Sequence, residues 1–368
     1  MQYRRIVAKF GTSLLTAGSN RLDLESMTRL VGAVVRLRAE GSQVAIVTSG
    51  ARAAGRHELH SHHPEITAPG RQALASIGQH RLMQTWGMLF DAYDTVVAQV
   101  LLTRRDLADR LAWLNARTTL RELLEAKVVP VVNENDAVAL DEVLASRIGE
   151  NDSLSAFVAN LIEADVLVLL TDVDGLYDSD PRSNPEARLI PRVQRIDDAL
   201  ASAGAATGPG IGGMTTKLSA ARVATSSGVD VVIANGRHPE VLERIAAGEA
   251  PGTLIPAVAD RIEARKRWIL GSIAPGGHIV VDSGAADALR NKGRSLLPAG
   301  VQAIDGTFER GEAVEVREHS GAVVGAGTVN YGSEELDRIC GTRSNEITEK
   351  LGYSFGDEVI HRDNLVVF

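Results

Sequence analysis

The chain has 368 residues with a formal charge of −8, and 44% of them are hydrophobic, 23% charged and only 4% aromatic, enough for two domains that each bury a core. The acidic balance disfavours nonspecific binding to nucleic acid. No apolar run approaches the roughly 20 residues of a membrane-spanning helix, Met1-Gln-Tyr-Arg-Arg5 leads into a strand-like segment rather than a signal peptide, and the lone Cys340 has no internal disulfide partner, so a reducing, cytoplasmic setting is expected.

From the N-terminus, short β-branched runs alternate with longer amphipathic stretches. Strands are expected at residues 6–10, 44–48, 96–102, 128–132, 166–170 and 229–234, and helices at 24–40, 71–93, 118–127, 153–164 and 215–227. Several strands are apolar throughout, as a parallel sheet covered on both faces requires. The expected fold is α/β, a three-layer αβα sandwich around a mainly parallel sheet, with ligands gathering at the carboxyl ends of the strands. After about residue 256 the pattern changes. A charged stretch from Asp260 to Trp268 and the Gly-Ser and Pro-Gly-Gly punctuation after it read as a linker over 257–275. Beyond it, residues 303–307, 313–317 and 322–329 form short strand-like runs between Asp-Gly, Arg-Gly and Ser-Gly turns. The organisation expected is a catalytic domain over 1–256 and a small β-rich domain over 276–368.

Chemistry concentrates where these strands end. A glycine-dense run, Gly208-Pro-Gly-Ile-Gly-Gly-Met-Thr-Thr-Lys217, is answered near the N-terminus by Lys9-Phe-Gly-Thr-Ser13. Glycines let backbone N–H groups close on phosphate oxygens, and a lysine beside them adds a point charge. The run is not a Walker A loop, because no Gly-Lys-Ser or Gly-Lys-Thr follows four spacer residues. Ser49-Gly50 before a helix offers donors for an anion, while Asp136, Glu150, Asn151 and Asp152 offer acceptors for an ammonium or a metal-bound phosphate. Separate recognition of anion and cation points to a zwitterion, most simply an amino acid.

Taken in order, Lys9-Phe-Gly-Thr-Ser, Val47-Thr-Ser-Gly-Ala, Asn133-Glu-Asn-Asp-Ala, Asn151-Asp-Ser-Leu-Ser-Ala, Leu170-Thr-Asp-Val-Asp-Gly-Leu-Tyr, Asp180-Pro-Arg-Ser-Asn-Pro and Gly212-Gly-Met-Thr-Thr-Lys resemble the amino acid kinase family. Within it they are similar to the branch that phosphorylates the side-chain carboxylate of glutamate with ATP and Mg2+ at the start of proline synthesis. The tail, with Ser295-Leu-Leu-Pro-Ala-Gly-Val and Gly306-Thr-Phe-Glu-Arg-Gly-Glu, resembles a PUA domain. The resemblance implies that Lys9 and Lys217 meet the ATP phosphates and the transition state, with Asp152 positioning both lysines. It implies glutamate contacts at Ser49, Asp136 and Asn151, and ATP contacts at Thr171, Asp172, Ile211, Gly212, Gly213, Met214, Thr215 and Thr216. A homo-oligomer and feedback inhibition by proline are further implications. Two departures stand out: Ile211 where a small hydroxyl residue is usual, and a stretch over 140–148 longer than expected for the glutamate lid.

Plainer readings apply to single residues. Lysine at a strand end is ordinarily a surface residue, and a lone Asp is ordinarily a cap or a turn residue. Asp172-Val-Asp174-Gly offers the residues of a metal pair, but Asp174 is more simply part of a strand-ending turn. His57, His60, His62 and His63 lack regular ligand spacing and read as a solvated loop running into Pro64. Rival functions are a related kinase acting on N-acetylglutamate or aspartate, and RNA binding through the tail. From Gly276 to Phe368, nine Lys and Arg face fifteen Asp and Glu, a net charge of −6 that suits a phosphate backbone poorly.

Overall fold

Strands that are apolar throughout need cover on both faces, and here they have it. The computed structural model describes residues 2–63, 66, 70–139, 150–197, 199, 211–238, 240–258 and 273–368. The chain divides into two compact units, Met1–Arg261 and Ile262–Phe368. In the first, β1 (Arg5–Phe10), β2 (Gln43–Val47), β3 (Val97–Leu102), β4 (Val129–Glu134), β5 (Val166–Thr171), β6 (Asp230–Asn235) and β7 (Thr253–Ile255) form a seven-stranded sheet in the order β3-β4-β2-β1-β5-β6-β7. Its pairings are parallel except for β6 with β7.

The helices of this unit are α1 (Thr12–Leu15), α2 (Leu24–Ala39), α3 (Ala51–His62), α4 (Arg71–Asp91), α5 (Arg104–Ala108), α6 (Arg110–Glu125), α7 (Glu150–Leu161), α8 (Ile211–Ser226) and α9 (Val241–Ala246). Strand alternation feeds two cores. Ile6, Ala8 and Phe10 of β1 join Val44 and Ile46 of β2 beneath α2, α4 and α9. Val7, Ala45, Val47, Leu167 and Leu169 pack on the other face against α6, α7 and α8.

Several boundaries differ from the sequence expectation. Helix α6 begins at Arg110 rather than 118, because Asp109 caps it by accepting from the Ala112 N–H. The short antiparallel β7 was not anticipated. Residues 57–62 are helical, so His57, His60 and His62 lie exposed on α3, with His63 as its C-cap, rather than in a loop. Gly212 to Lys217 likewise belong to the opening turns of α8 and not to a loop. Residues 208–210, the stretch 140–148 and most of the linker assigned to 257–275 lie outside the described residues.

α3 and α4 cross with no room for side chains. A Cβ on Gly55 would fall 1.8 Å from the Leu74 carbonyl oxygen, and one on Gly78 would fall 1.7 Å from that of Ala51. The two glycines therefore lock α4 against the helix that begins just after Ser49-Gly50.

The second unit holds a five-stranded sheet, β12-β11-β10-β8-β9, made of β8 (Ile273–Val281), β9 (Val301–Asp305), β10 (Ala313–Glu318), β11 (Val323–Thr328) and β12 (Leu365–Val367). β8 includes the Pro-Gly-Gly that sequence assigned to the linker's end. The β8–β10 register shifts between Ala313 and Glu315, an irregularity that accommodates this segment.

Candidate active site

Strand parity decides which side chains meet. Lys9 follows Val7 by two residues and so emerges on the α7 side of the sheet, at the carboxyl end of β1. Asp152, in the first turn of α7, reaches down to it: Lys9 Nζ lies 2.7 Å from Asp152 Oδ1, with the two residues 6% and 3% exposed. The surface-lysine reading therefore fails for Lys9. The other carboxylate oxygen, Oδ2, lies 3.4 Å from Lys217 Nζ and 2.7 Å from the Thr216 hydroxyl, both on α8. The Lys217 ammonium also donates to the Gly213 carbonyl at 3.2 Å, which folds it back over the first turn of α8. Thr216 is also within 2.9 Å of that carbonyl, and its single proton is better placed on the charged acceptor.

One carboxylate thus gathers two ammonium groups at the start of a helix. Burial alone would raise the Asp152 carboxyl, but Lys9, Lys217 and the Thr216 hydroxyl outweigh it, and the group is held below the usual carboxylate range. Burial depresses the Lys9 ammonium and Lys217 adds to the effect, while Asp152 opposes both. The result is a compact positive surface beside the orphan N–H groups of α8, which suits an anion carrying several charges.

A second cluster sits at the end of β2. Gly50 has φ +97°, the left-handed region that favours glycine, and its turn brings the chain into α3, whose N-terminus has no side-chain cap. Ser49 accepts from Asn151 Nδ2 at 3.0 Å, and Asn151 Oδ1 is buried without a partner among the described residues. Asp136 is half-buried in the turn after β4, the sheet neighbour of β2. The Glu150 side chain lies outside the described part.

Thr171 and Asp172 end β5, beside β1 through the register Phe10↔Leu170. The Thr171 hydroxyl donates to Asp172 Oδ1 at 3.2 Å, and Arg182 pairs with Asp172 Oδ2 at 3.3 Å. Met214 is half-buried against the α7–α8 core, Thr215 is half-buried, and Ile211 and Gly212 open α8, with their side chains outside the described part. The structure therefore joins Lys9, Asp152, Thr216, Lys217 and Gly213 directly, and Ser49 to Asn151. Thr171, Asp172 and Asp136 stand at neighbouring strand ends. Sequence reasoning passed over Arg182, although it lies inside the quoted Asp180-Pro-Arg-Ser motif. It also missed that Thr216 binds Asp152, and it left Gln79 unassigned, whose side chain accepts from Asn133 Nδ2 at 2.7 Å.

Comparison with known proteins follows the same lines. The profile of the amino acid kinase family matches residues 4–235, and that of the PUA domain matches residues 277–351. The chain is 47% identical over 368 residues to a glutamate 5-kinase of Herpetosiphon aurantiacus, covering 100% of this chain and 99% of that protein. A glutamate 5-kinase of Shewanella oneidensis is 46% identical, with coverage of 99% and 98%, and one of Geobacter sulfurreducens is 48% identical, with coverage of 99% and 97%.

Proposed function

The chain belongs to the amino acid kinase family, and from that premise we propose that it transfers the γ-phosphoryl group of ATP to the side-chain carboxylate of L-glutamate. The observation that carries this reading is the shared Asp152 carboxylate, which holds Lys9 at 2.7 Å and Lys217 at 3.4 Å.

A carboxylate oxygen of glutamate attacks the γ-phosphorus and forms the new P–O bond. The bond from γ-phosphorus to the β–γ bridging oxygen breaks, and ADP leaves with that electron pair. The products are L-glutamyl 5-phosphate and ADP, the acyl phosphate from which proline synthesis proceeds. The nucleophile is already ionised at neutral pH, so no general base is required, and catalysis reduces to alignment and to neutralising charge around the transferred group. In this proposal Lys9 spans attacking carboxylate and γ-phosphate, Lys217 meets the phosphate oxygens, and Asp152 sets the position of both. Thr171, Asp172 and the start of α8 from Ile211 to Lys217 hold the nucleotide. Ser49, Asn151 and Asp136 hold the amino-acid head group, and the Asp136 carboxylate favours a free ammonium over an acetylated nitrogen.

Among the described residues no group of three His, Cys, Asp or Glu side chains is set to hold a metal. Asp152 is occupied by two lysines and Asp172 by Arg182. In this proposal the divalent ion enters with the nucleotide, as MgATP. Proline shares glutamate's ammonium and α-carboxylate and lacks the reacting group, so inhibition by competition at the same head-group contacts belongs to the proposal, as do homo-oligomerisation and a cytoplasmic location. Among the described residues no helix is long and apolar enough to cross a membrane.

The test is ADP release with MgATP across glutamate, aspartate and N-acetylglutamate. Glutamate is expected to support turnover far above the other two. Turnover confined to N-acetylglutamate or aspartate would overturn the substrate assignment.

A further inference from the structure

α4 supplies none of the residues assigned above, yet it bears on the strand ends around the amino-acid site at two points. Trp86 Nε1 donates to the Thr48 hydroxyl at 3.2 Å, one residue before Ser49. Seven residues earlier on the helix, Gln79 Oε1 accepts from Asn133 Nδ2 at 2.7 Å, near the end of β4 and three residues before Asp136. Asn133 is 2% exposed. After their mutual bond, Gln79 Nε2 and Asn133 Oδ1 remain buried without partners among the described residues. Exchanging O and N on both amides would not change this, since one amide nitrogen and one carbonyl oxygen would still be left over.

An amide pair whose idle donor and idle acceptor are both buried is costly to maintain and calls for an explanation. Packing alone does not explain it, because two apolar side chains would fill the same space without stranding polar atoms. Its place in the fold does. Asn133 stands at the carboxyl end of β4, beside the Thr48-Ser49 strand end, and Gly78, adjacent to Gln79, is locked against α3 with no room for a Cβ. Gln79 is therefore fixed relative to the turn that carries Ser49 and Gly50.

We propose that Gln79 is a specificity-determining residue for the amino-acid substrate: with Asn133 it presents one N–H donor and one carbonyl acceptor to the zwitterionic head group, which completes both on binding. This rests on the functional reading above. An ammonium satisfies the acceptor and a carboxylate oxygen satisfies the donor. Neither contact changes during phosphoryl transfer, so the pair acts on binding and not on the chemical step.

The test uses the full-length protein with Gln79→Glu and Gln79→Met. Glu keeps an acceptor for Asn133 but replaces the donor with an oxygen that repels a carboxylate, whereas Met removes both functions at similar volume. Both variants are expected to raise the KM for glutamate by about five- to a hundredfold, the range set by leaving one buried polar group unsatisfied. The kcat and the KM for MgATP should stay within about twofold. In thermal melts, MgATP should still raise Tm as in wild type, while the rise caused by saturating glutamate should shrink. Gln79→Glu with an unaltered glutamate KM would overturn the proposal. So would equal loss of the MgATP and glutamate responses, which marks a structural role. A wild-type protein that ignores glutamate sinks the functional reading instead; the same two variants are then measured on the acid that it does use, where an unaltered KM again refutes the role of Gln79.

Discussion

Replacing Asp152 by Asn removes one charge while keeping the side chain's shape, and the structure gives the consequences sign and size. The carboxylate lies 2.7 Å from one ammonium and 3.4 Å from another, in a position only 3% exposed. Stripping one partner from a buried ion pair costs about 3–5 kcal/mol, because the remaining charge is stranded. Lys9 can avoid that cost by releasing its proton, since burial already depresses its ammonium and Asp152 is the group that opposes the fall. The variant should therefore carry a neutral Lys9 over part of the pH range in which the wild type carries a charged one.

Loss of a preorganised charge contact in the transition state lowers kcat by about 10²–10³, or roughly 2.7–4 kcal/mol. At neutral pH, Asp152→Asn should fall by at least that factor. Its kcat should then recover partly as pH is lowered through the depressed Lys9 value, a limb that the wild type shows only at higher pH. Stability moves the other way. The Asp152 carboxyl is lowered on folding, so its contribution is complete above the ordinary carboxylate value of about 3.9 and is lost as pH falls through the lower folded value. The Tm gap between wild type and variant should accordingly close on acidification. Chromatographic measurement of ADP in quenched samples across pH, with glutamate and MgATP saturating, reads the first effect, and thermal melts read the second. A variant within about threefold of wild-type kcat at every pH would refute the view that Asp152 positions the lysines.

Lys217→Met should lower kcat by on the order of 10² or more while shifting Tm little, since Asp152 keeps Lys9 as its partner; near wild-type turnover would remove Lys217 from the mechanism. Asp136→Ala should raise the KM for glutamate by about tenfold and leave the KM for MgATP nearly unchanged, and a kinetic profile identical to that of Asp152→Asn would show that the two carboxylates do not have separate roles. Ending the chain after Arg261 should preserve turnover, because every residue assigned to the reaction precedes 218 and falls in the first compact unit. A folded but inactive truncation would show that the second unit completes the site.

Much of the first unit was legible because its strands are uninterrupted β-branched runs and its chemistry sits at their ends in recognisable motifs. The failures have particular causes. Thr253-Leu-Ile255 is too short to register as a strand, yet it pairs antiparallel with β6. The expected helix at 118–127 caught only the second half of α6, whose start at Arg110 follows directly on α5 and its Thr103 capping box, with Asp109 ending one helix and capping the next. β8 was obscured by a Pro-Gly-Gly that argues against any strand, and only the shift of register explains how a strand contains it. The roles of Lys9 and Asp152 came from motif resemblance, whereas their contact came from geometry: neither spacing nor composition says that residues 9, 152 and 217 share one carboxylate.

Gln79 was illegible for a more basic reason. A glutamine on an amphipathic helix is an ordinary surface choice, with neither charge nor glycine to mark it, and only its burial beside Asn133 sets it apart. Strand alternation explains how such a residue bears on a site assembled mostly from the opposite face. Thr48 turns to Trp86 on the α4 side, while Ser49, the next residue, turns to Asn151 on the α7 side. The end of β2 is therefore held from both layers at once. In the proposed reaction the α7–α8 face supplies the charges, Lys9 and Lys217 around Asp152, that neutralise the phosphoryl group. Toward these strand ends α4 brings the Gln79 amide and the Trp86 indole, neutral groups that discriminate shape and hydrogen bonding without altering the local charge. Substitutions along α4 should consequently change which acid is accepted while leaving the transfer step intact, and substitutions around Asp152 should do the reverse.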